Sequence, residues 1–138
     1  MTLARRGILF IGALICIAAL LDAQASAGDP MNRGKYLVDH VAMCVECHTP
    51  RNEKGELLLA QYLRGAPIPV NAPPYPSIEW AVEAPGIAGL IGYTKEQGIR
   101  LLTEGITSDG RIPKPPMPRF RLSTSDAEAI VSYLKSLQ

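Results

Sequence analysis

The apolar and polar positions of the chain divide it into an apolar leader, three helical segments and two long proline-rich stretches. Residues 7–21 form a nearly unbroken apolar run that follows Arg5 and Arg6, and small residues come after it at positions 25–27. This order is typical of a secretory signal peptide. We therefore predict a signal peptide over residues 1–27, cleaved after Ala25 or Ala27, and one domain over residues 28–138. The run is shorter than the about 20 residues that span a bilayer, so a retained membrane anchor is the alternative.

The first predicted helix covers residues 31–44, where apolar positions recur at helical spacing. Gly34 lies inside it and costs a helix about 1 kcal/mol relative to Ala, so it is either tolerated or marks a close crossing by another helix. A last helix begins after Ser123 and carries an apolar stripe at i, i+3, i+4 and i+7, formed by Ala127, Ile130, Val131 and Leu134. Tyr133 lies beside this stripe and favours the crossing at Gly34.

A third helix is predicted between these two. Thr94 at the N-cap and Gln97 at the third helical position match a capping box, and Gly105 is placed where a helix ends. The stretches before and after this helix, residues 66–85 and 106–122, are rich in proline. Runs of proline do not form the interior of a regular helix or a central strand. These stretches are therefore predicted to be extended loops, and the loop over residues 66–85 can wrap around a bound group.

Charge and size exclude one class of function. The chain has 138 residues, and residues 28–138 contain 12 basic and 12 acidic side chains. A nucleic-acid-binding domain would need an excess of basic side chains, so we predict that this protein does not bind nucleic acid. About 110 residues are enough for one small domain.

Residues 44–48 read Cys-Val-Glu-Cys-His, the motif for covalent attachment of a c-type haem. Two thiols three positions apart can each add to one vinyl group of the same porphyrin, and the adjacent imidazole is then delivered to the iron. We therefore predict that Cys44 and Cys47 hold one haem c and that His48 is an axial iron ligand. A zinc site would need four ligands, with His40 as the fourth. A thioredoxin-like pair would need a βαβ context, which the flanking sequence does not show.

The second axial ligand is selected among the methionines. Met43 adjoins the attachment motif and Met31 lies one helix upstream, so neither easily reaches the face opposite His48. Met117 lies far along the chain in a Pro-Pro-Met-Pro run, whose restricted φ angles lower the entropy lost when the loop is held. We therefore predict Met117 as the second ligand. The alternatives are His40 and Lys114.

His/Met ligation leaves no open coordination position and raises the reduction potential. This predicts an electron carrier and no enzymatic activity, with a haem-accessible sensor or small peroxidase as the alternative.

Trp80 packs either against the haem or against the helices. A basic cluster follows residue 110 and consists of Arg111, Lys114, Arg119 and Arg121. Its side chains either form a docking rim for an acidic redox partner or balance the charge of the haem propionates. The alternative is that they are ordinary solvated charges of a loop.

These motifs together resemble the class I (monohaem) bacterial cytochromes c of the small periplasmic type. They are also similar to the cytochrome subunits of membrane-bound dehydrogenases. The resemblance rests on residues 33–37 leading into 44–50, and on 84–94, 109–118 and 126–134. It implies an all-α cytochrome c fold in which the N- and C-terminal helices cross, with a helix and proline-rich loops around one covalent haem.

The resemblance also implies location, partners and further contacts. We expect a periplasmic protein that exchanges electrons with a dehydrogenase, an oxidase or another cytochrome, as a monomer or as a fixed dehydrogenase subunit. The family often has Trp where Tyr93 stands, and that aromatic side chain can approach a propionate; the hydroxyl of Tyr93 can keep such a bond. The same family often has Asn at the position of Gly86. Residues 57–84 match no assigned motif.

Overall fold

A computed structural model describes residues 28–74 and 77–137 of the chain. The predicted signal peptide lies outside these residues. Four α-helices are described, α1 Pro30–Tyr36, α2 Cys44–His48, α3 Lys95–Glu104 and α4 Thr124–Ser136. A π-helical turn, Leu37–Val41, continues α1, and 3-10 turns lie at Leu59–Gln61 and Ala88–Leu90. Within the part of the chain that the structure describes, no helix is both long and apolar enough to cross a membrane.

The first helical segment differs from the prediction of one continuous helix over residues 31–44. Regular α-helix ends at Tyr36, and Met43 then adopts a φ of 52°, in the left-handed region. Such a residue ends a run of helical hydrogen bonds, so α2 begins as a separate helix at Cys44. Val41, one of the apolar residues at helical spacing in residues 31–44, is 53% exposed. The continuous helix was therefore wrong, because spacing alone does not show the turn at Met43.

Helix α1 packs against α4 at Gly34. A Cβ atom at this position would lie 2.7 Å from the carbonyl carbon of Ala129 and 2.7 Å from the Cβ of Tyr133. Only glycine leaves room for this approach of the two backbones. An ion pair between Arg33 and Asp126 lies beside the contact, with 3.0 Å between Nη2 and Oδ1. Gly34 is therefore kept by helix packing and is not merely tolerated.

Helix α3 begins and ends where predicted, and α4 begins where predicted. Thr94 and Gln97 form both hydrogen bonds of a capping box at the start of α3, and Gly105 ends that helix with a φ of 68°. The Ser123 side chain accepts a hydrogen bond from the backbone N–H of Asp126 at the start of α4. All four residues of the predicted apolar stripe of α4 are buried. These predictions are confirmed, since capping chemistry and apolar period are local properties.

The proline-rich stretch 66–85 contributes a small sheet that the all-α prediction missed. Strand β1, Ala66–Pro67, pairs antiparallel with β2, Glu83–Ala84. The fold is therefore mostly helical with one two-stranded ladder. Its core joins the helices to the intervening loops, and its most buried large side chains are Val38, Leu63, Ile130 and Val131.

Candidate haem-attachment site

A cavity of about 360 Å³ lies between α2, α3, α4 and the two proline-rich stretches. Its walls include Cys44, Cys47, His48 and Met117, although Met117 follows His48 by 69 positions. Tyr93 also lines the cavity. Trp80 does not, whereas the next residue, Ala81, does.

His48 is held by one backbone carbonyl. Its side chain lies at the end of α2, only 7% of its surface is exposed, and Nδ1 lies 2.7 Å from the carbonyl oxygen of Pro85. Because a carbonyl only accepts, Nδ1 carries the proton and Nε2 keeps the lone pair that a metal needs. Burial lowers the pKa of His48, and the bond to Pro85 opposes this in part. The imidazole is therefore neutral and oriented at neutral pH.

The two cysteines are unpaired and lie three positions apart on α2, a spacing that places side chains on one helix face. Burial raises the pKa of Cys44 to about 11. A thioredoxin-like cysteine has the opposite shift, so this thiol does not fit that alternative. Nor do three or more His, Cys, Asp or Glu side chains converge on a metal position anywhere in residues 28–74 and 77–137, as a zinc site would require.

A hydrogen-bonded backbone frame lies behind His48, and two of its members, Leu63 and Gly65, belong to residues 57–84, which matched no motif. Thr49, 1% exposed, accepts at Oγ1 a hydrogen bond of 3.0 Å from the N–H of Leu63. The carbonyl of Leu63 accepts from Ile87 at 2.9 Å and from Ala88 at 3.1 Å, and the carbonyl of His48 accepts from Gly65 at 2.8 Å. The frame joins α2 to residues 85–88. Motif reading missed it because its groups are mainly backbone atoms.

The loop carrying Met117 is bonded to the other proline-rich stretch. The N–H of Ala81 donates to the carbonyl of Pro115 at 2.7 Å, and Lys114 forms an ion pair with Glu79. In the predicted basic cluster, Arg111 likewise pairs with a neighbouring acid, Asp109. The two remaining members, Arg119 and Arg121, are exposed. The cluster is thus only partly available as free positive charge.

The two aromatic residues predicted at the cofactor differ in their surroundings. The hydroxyl of Tyr93 accepts a long hydrogen bond of 3.4 Å from the N–H of Ser108. The indole Nε1 of Trp80 is buried, and no hydrogen-bond partner for it is found among the described residues.

Comparison with known proteins decides the family. The family model for cytochrome c matches residues 31–138. The chain belongs to the cytochrome c family.

This cytochrome c is similar to several longer proteins. It is 34% identical over 114 residues to the fructose dehydrogenase cytochrome subunit of Gluconobacter japonicus, covering 79% of this chain and 22% of that one. It is 32% identical over 108 residues to a diheme cytochrome c-type protein of Cereibacter sphaeroides, covering 75% and 34%. It is 32% identical over 130 residues to a nicotinate dehydrogenase subunit of Pseudomonas putida, covering 85% and 10%. The chain thus spans about a third or less of each relative's length.

A cytochrome c carries covalently bound haem c, and the residues present fit that group. The two thiols and the imidazole of the attachment motif all line the cavity, and the rest of its wall includes the apolar side chains of Ile130, Val131 and Leu134 from α4. An apolar wall is what a porphyrin face requires. Electron transfer is the activity that this family implies.

Proposed function

We propose that this cytochrome c is a monohaem electron-transfer protein whose iron is ligated by His48 and Met117. One observation carries the proposal: Cys44, Cys47, His48 and Met117 line a single cavity. The count of one haem rests on the sequence, which has three cysteines and a single Cys-x-x-Cys-His run.

The chain's own residues have separate tasks in this proposal. Cys44 and Cys47 hold the group, and His48, oriented by the Pro85 carbonyl at 2.7 Å, offers Nε2. Met117 supplies a thioether on a loop with few flexible φ angles. When bound, haem c supplies a one-electron iron couple, and a His/Met ligand pair raises its potential. With both positions filled by the protein, no position is left for a substrate, so we propose a carrier and not a catalyst.

Two methionine variants test the ligand assignment. Met117 and Met43 both line the cavity, and replacing Met by Leu changes core volume little. Met117→Leu should abolish the weak red absorption band that an iron–thioether bond gives the ferric protein, and should lower the midpoint potential. The control Met43→Leu should leave both unchanged. If Met117→Leu keeps the band and the potential, Met117 is not the ligand.

The alternative, a haem-accessible sensor or small peroxidase, makes the opposite prediction for the wild-type protein. An open or labile sixth position would let the ferrous form bind carbon monoxide readily at neutral pH. Under the His48/Met117 proposal, Met117→Leu binds carbon monoxide and the wild type does so only weakly. Ready binding by the wild type would favour the alternative.

We further propose a dehydrogenase as the electron donor. Two of the similar proteins are named as dehydrogenase subunits, and this chain is similar to a minor part of each. Reduction of the ferric protein by a candidate dehydrogenase, followed by stopped-flow absorption, tests the proposal. Co-purification from the native membrane distinguishes a fixed subunit from a diffusing carrier. No acceleration of reduction by any co-expressed dehydrogenase would refute this partner class.

A periplasmic location is part of the proposal, supported by the order of charged, apolar and small residues before position 28. Fractionation should recover the haem-containing protein in the periplasm, and its N-terminal sequence should begin at residue 26 or 28. Recovery with an intact N-terminus in the membrane fraction would instead indicate a retained anchor.

We propose Tyr93 and Trp80 as further cofactor contacts. Tyr93 lines the cavity. Trp80, whose Nε1 is buried, directly precedes Ala81 in the chain, and Ala81 lines the cavity. Trp80→Phe removes the indole donor, so it should shift the midpoint potential or its pH dependence if that donor bonds the cofactor. An unchanged potential would leave Trp80 as a packing residue.

A further inference from the structure

The loop that carries Met117 has few bonds of its own. Four of the seven residues 112–118 are prolines and lack an N–H donor. Among the described residues, this loop makes two hydrogen bonds to groups outside it, from Ala81 N–H to the Pro115 carbonyl and from Lys114 to Glu79. Both partners belong to residues 79–85, which we call the strap. The acceptor, Pro115, is two positions from Met117.

The other end of the strap contacts the proximal side. Pro85, its last residue, accepts the Nδ1 hydrogen bond of His48 at 2.7 Å. Four positions therefore separate the group that orients His48 from the group that holds the Met117 loop. The same short piece of backbone therefore bonds to His48 at the end of α2 and to the loop that carries Met117, the two proposed iron ligands.

The strap is itself held in place. Its residues Glu83 and Ala84 form β2, paired with β1, and its Val82 carbonyl accepts from the N–H of Ile68 at 3.0 Å. Immediately after it, the N–H groups of Ile87 and Ala88 both donate to the carbonyl of Leu63. A segment bonded along most of its length can transmit position from one end to the other, because its backbone has little freedom to adjust.

We propose that the strap fixes the Met117 loop relative to His48, with the backbone N–H of Ala81 as the positioning group. The inference rests on the proposed His48/Met117 ligation and assigns a role to part of the stretch that matched no motif. Ala81 acts through Pro115 and does not itself bind the iron. Loss of its N–H frees the loop and makes Met117 easier to displace from the iron.

Displacement of Met117 by imidazole measures this role in the purified ferric holoprotein. Ala81→Pro removes the N–H donor. A net hydrogen bond of about 0.5–1.5 kcal/mol corresponds to an apparent imidazole affinity about two- to tenfold higher than in the wild type. Val82→Pro is the matched control, because it adds the same ring one residue later, where the N–H has no partner among the described residues. It should leave the affinity near the wild-type value.

Amide exchange in the unaltered protein gives a second measurement, which tests the role of the Ala81 N–H even if Ala81→Pro does not fold. In the ¹⁵N-labelled ferrous holoprotein, the Ala81 amide should exchange at least about tenfold more slowly than the Val82 amide, since only Ala81 N–H is hydrogen-bonded. Equal exchange at both positions, or equal imidazole affinity in both proline variants, would overturn the role of the strap. A wild-type protein without the iron–thioether band would instead refute the ligand assignment itself.

Discussion

Replacing Gly34 with Ala is expected to destabilise the protein because the helix α1 backbone lies against α4 at this residue. The new Cβ would lie 2.7 Å from the Ala129 carbonyl carbon and 2.7 Å from the Tyr133 Cβ. Neither atom belongs to the flexible end of a side chain, so relief requires the two helices to move apart. Arg33 and Asp126, whose ion pair lies beside the contact, would be separated by the same movement.

The size of the effect follows from two opposing contributions. Overpacking a well-packed contact costs about 1–3 kcal/mol, and contact with backbone atoms places this site near about 3 kcal/mol. Ala in place of Gly returns about 1 kcal/mol of helix propensity. The net loss is therefore about 2 kcal/mol. For a domain of this size, 1 kcal/mol shifts the melting temperature by about 4–8 °C, so a decrease of about 8–16 °C is expected.

Chemical and thermal unfolding followed by far-ultraviolet circular dichroism would measure this loss, with Gly98→Ala as the matched control in α3. There a Cβ would meet side-chain methyl groups of Leu90 and Val131 at 2.9 Å, which can shift more cheaply than backbone. We expect Gly98→Ala to cost clearly less than Gly34→Ala. A Gly34→Ala protein within about 0.5 kcal/mol of wild type would refute the view that glycine is required by the helix contact.

Three further predictions concern the frame and the pH dependence. Thr49→Val leaves a buried backbone N–H without its acceptor and should cost about 1–3 kcal/mol in chemical unfolding, whereas Thr49→Ser should restore most of the loss; equal losses would exclude the hydrogen bond as the cause. Burial, with the hydrogen bond to Asp39, raises the pKa of Tyr62 above its usual value near 10. The unfolded chain therefore loses this proton first, and stability should fall as pH rises above about 10; Tyr62→Phe should flatten that fall, and an unchanged slope would contradict it. The hydrogen bond from Lys114 lowers the pKa of Glu79, so this ion pair stabilises the fold above the usual glutamate pKa and the stabilisation is lost as the pH decreases below it. Glu79→Gln should remove this loss of stability at acid pH when it is measured at low salt. If the variant loses as much stability at acid pH as the wild type, the pair is not the source of the loss.

Local chemistry accounts for the parts of the fold that were predicted correctly. The capping box at Thr94 and the Ser123 cap satisfy N–H groups within a few residues, and the α4 stripe follows from one helical period. The prediction of one continuous helix over residues 31–44 was wrong because the same local signals do not include the φ angle of a single residue. The apolar spacing continues across Met43, but that residue adopts a left-handed conformation, and spacing carries no information about a single reversed φ angle.

Long-range backbone contacts explain why residues 57–84 had no assignment. The groups that matter there include the carbonyl of Leu63 and the N–H groups of Gly65 and Ala81. Every residue except proline carries the same pair of backbone groups, so no side-chain pattern distinguishes these positions. The one side chain in this frame, Thr49, adjoins the attachment motif. Its burial, which only the structure shows, is what indicates its role as a hydrogen-bond acceptor for Leu63.

By itself, the sequence indicated a c-type haem protein, because the attachment motif depends on the covalent chemistry of three side chains within five consecutive residues. It also determined where α3 begins and ends and where α4 begins, because the hydrogen-bond partners at these positions lie within about one turn. Only the tertiary structure decided that Met117 shares a cavity with His48, that Pro85 orients the imidazole, and that residues 79–85 bond both to His48 and to the loop that carries Met117. Those contacts join positions tens of residues apart, so they depend on how the whole backbone packs.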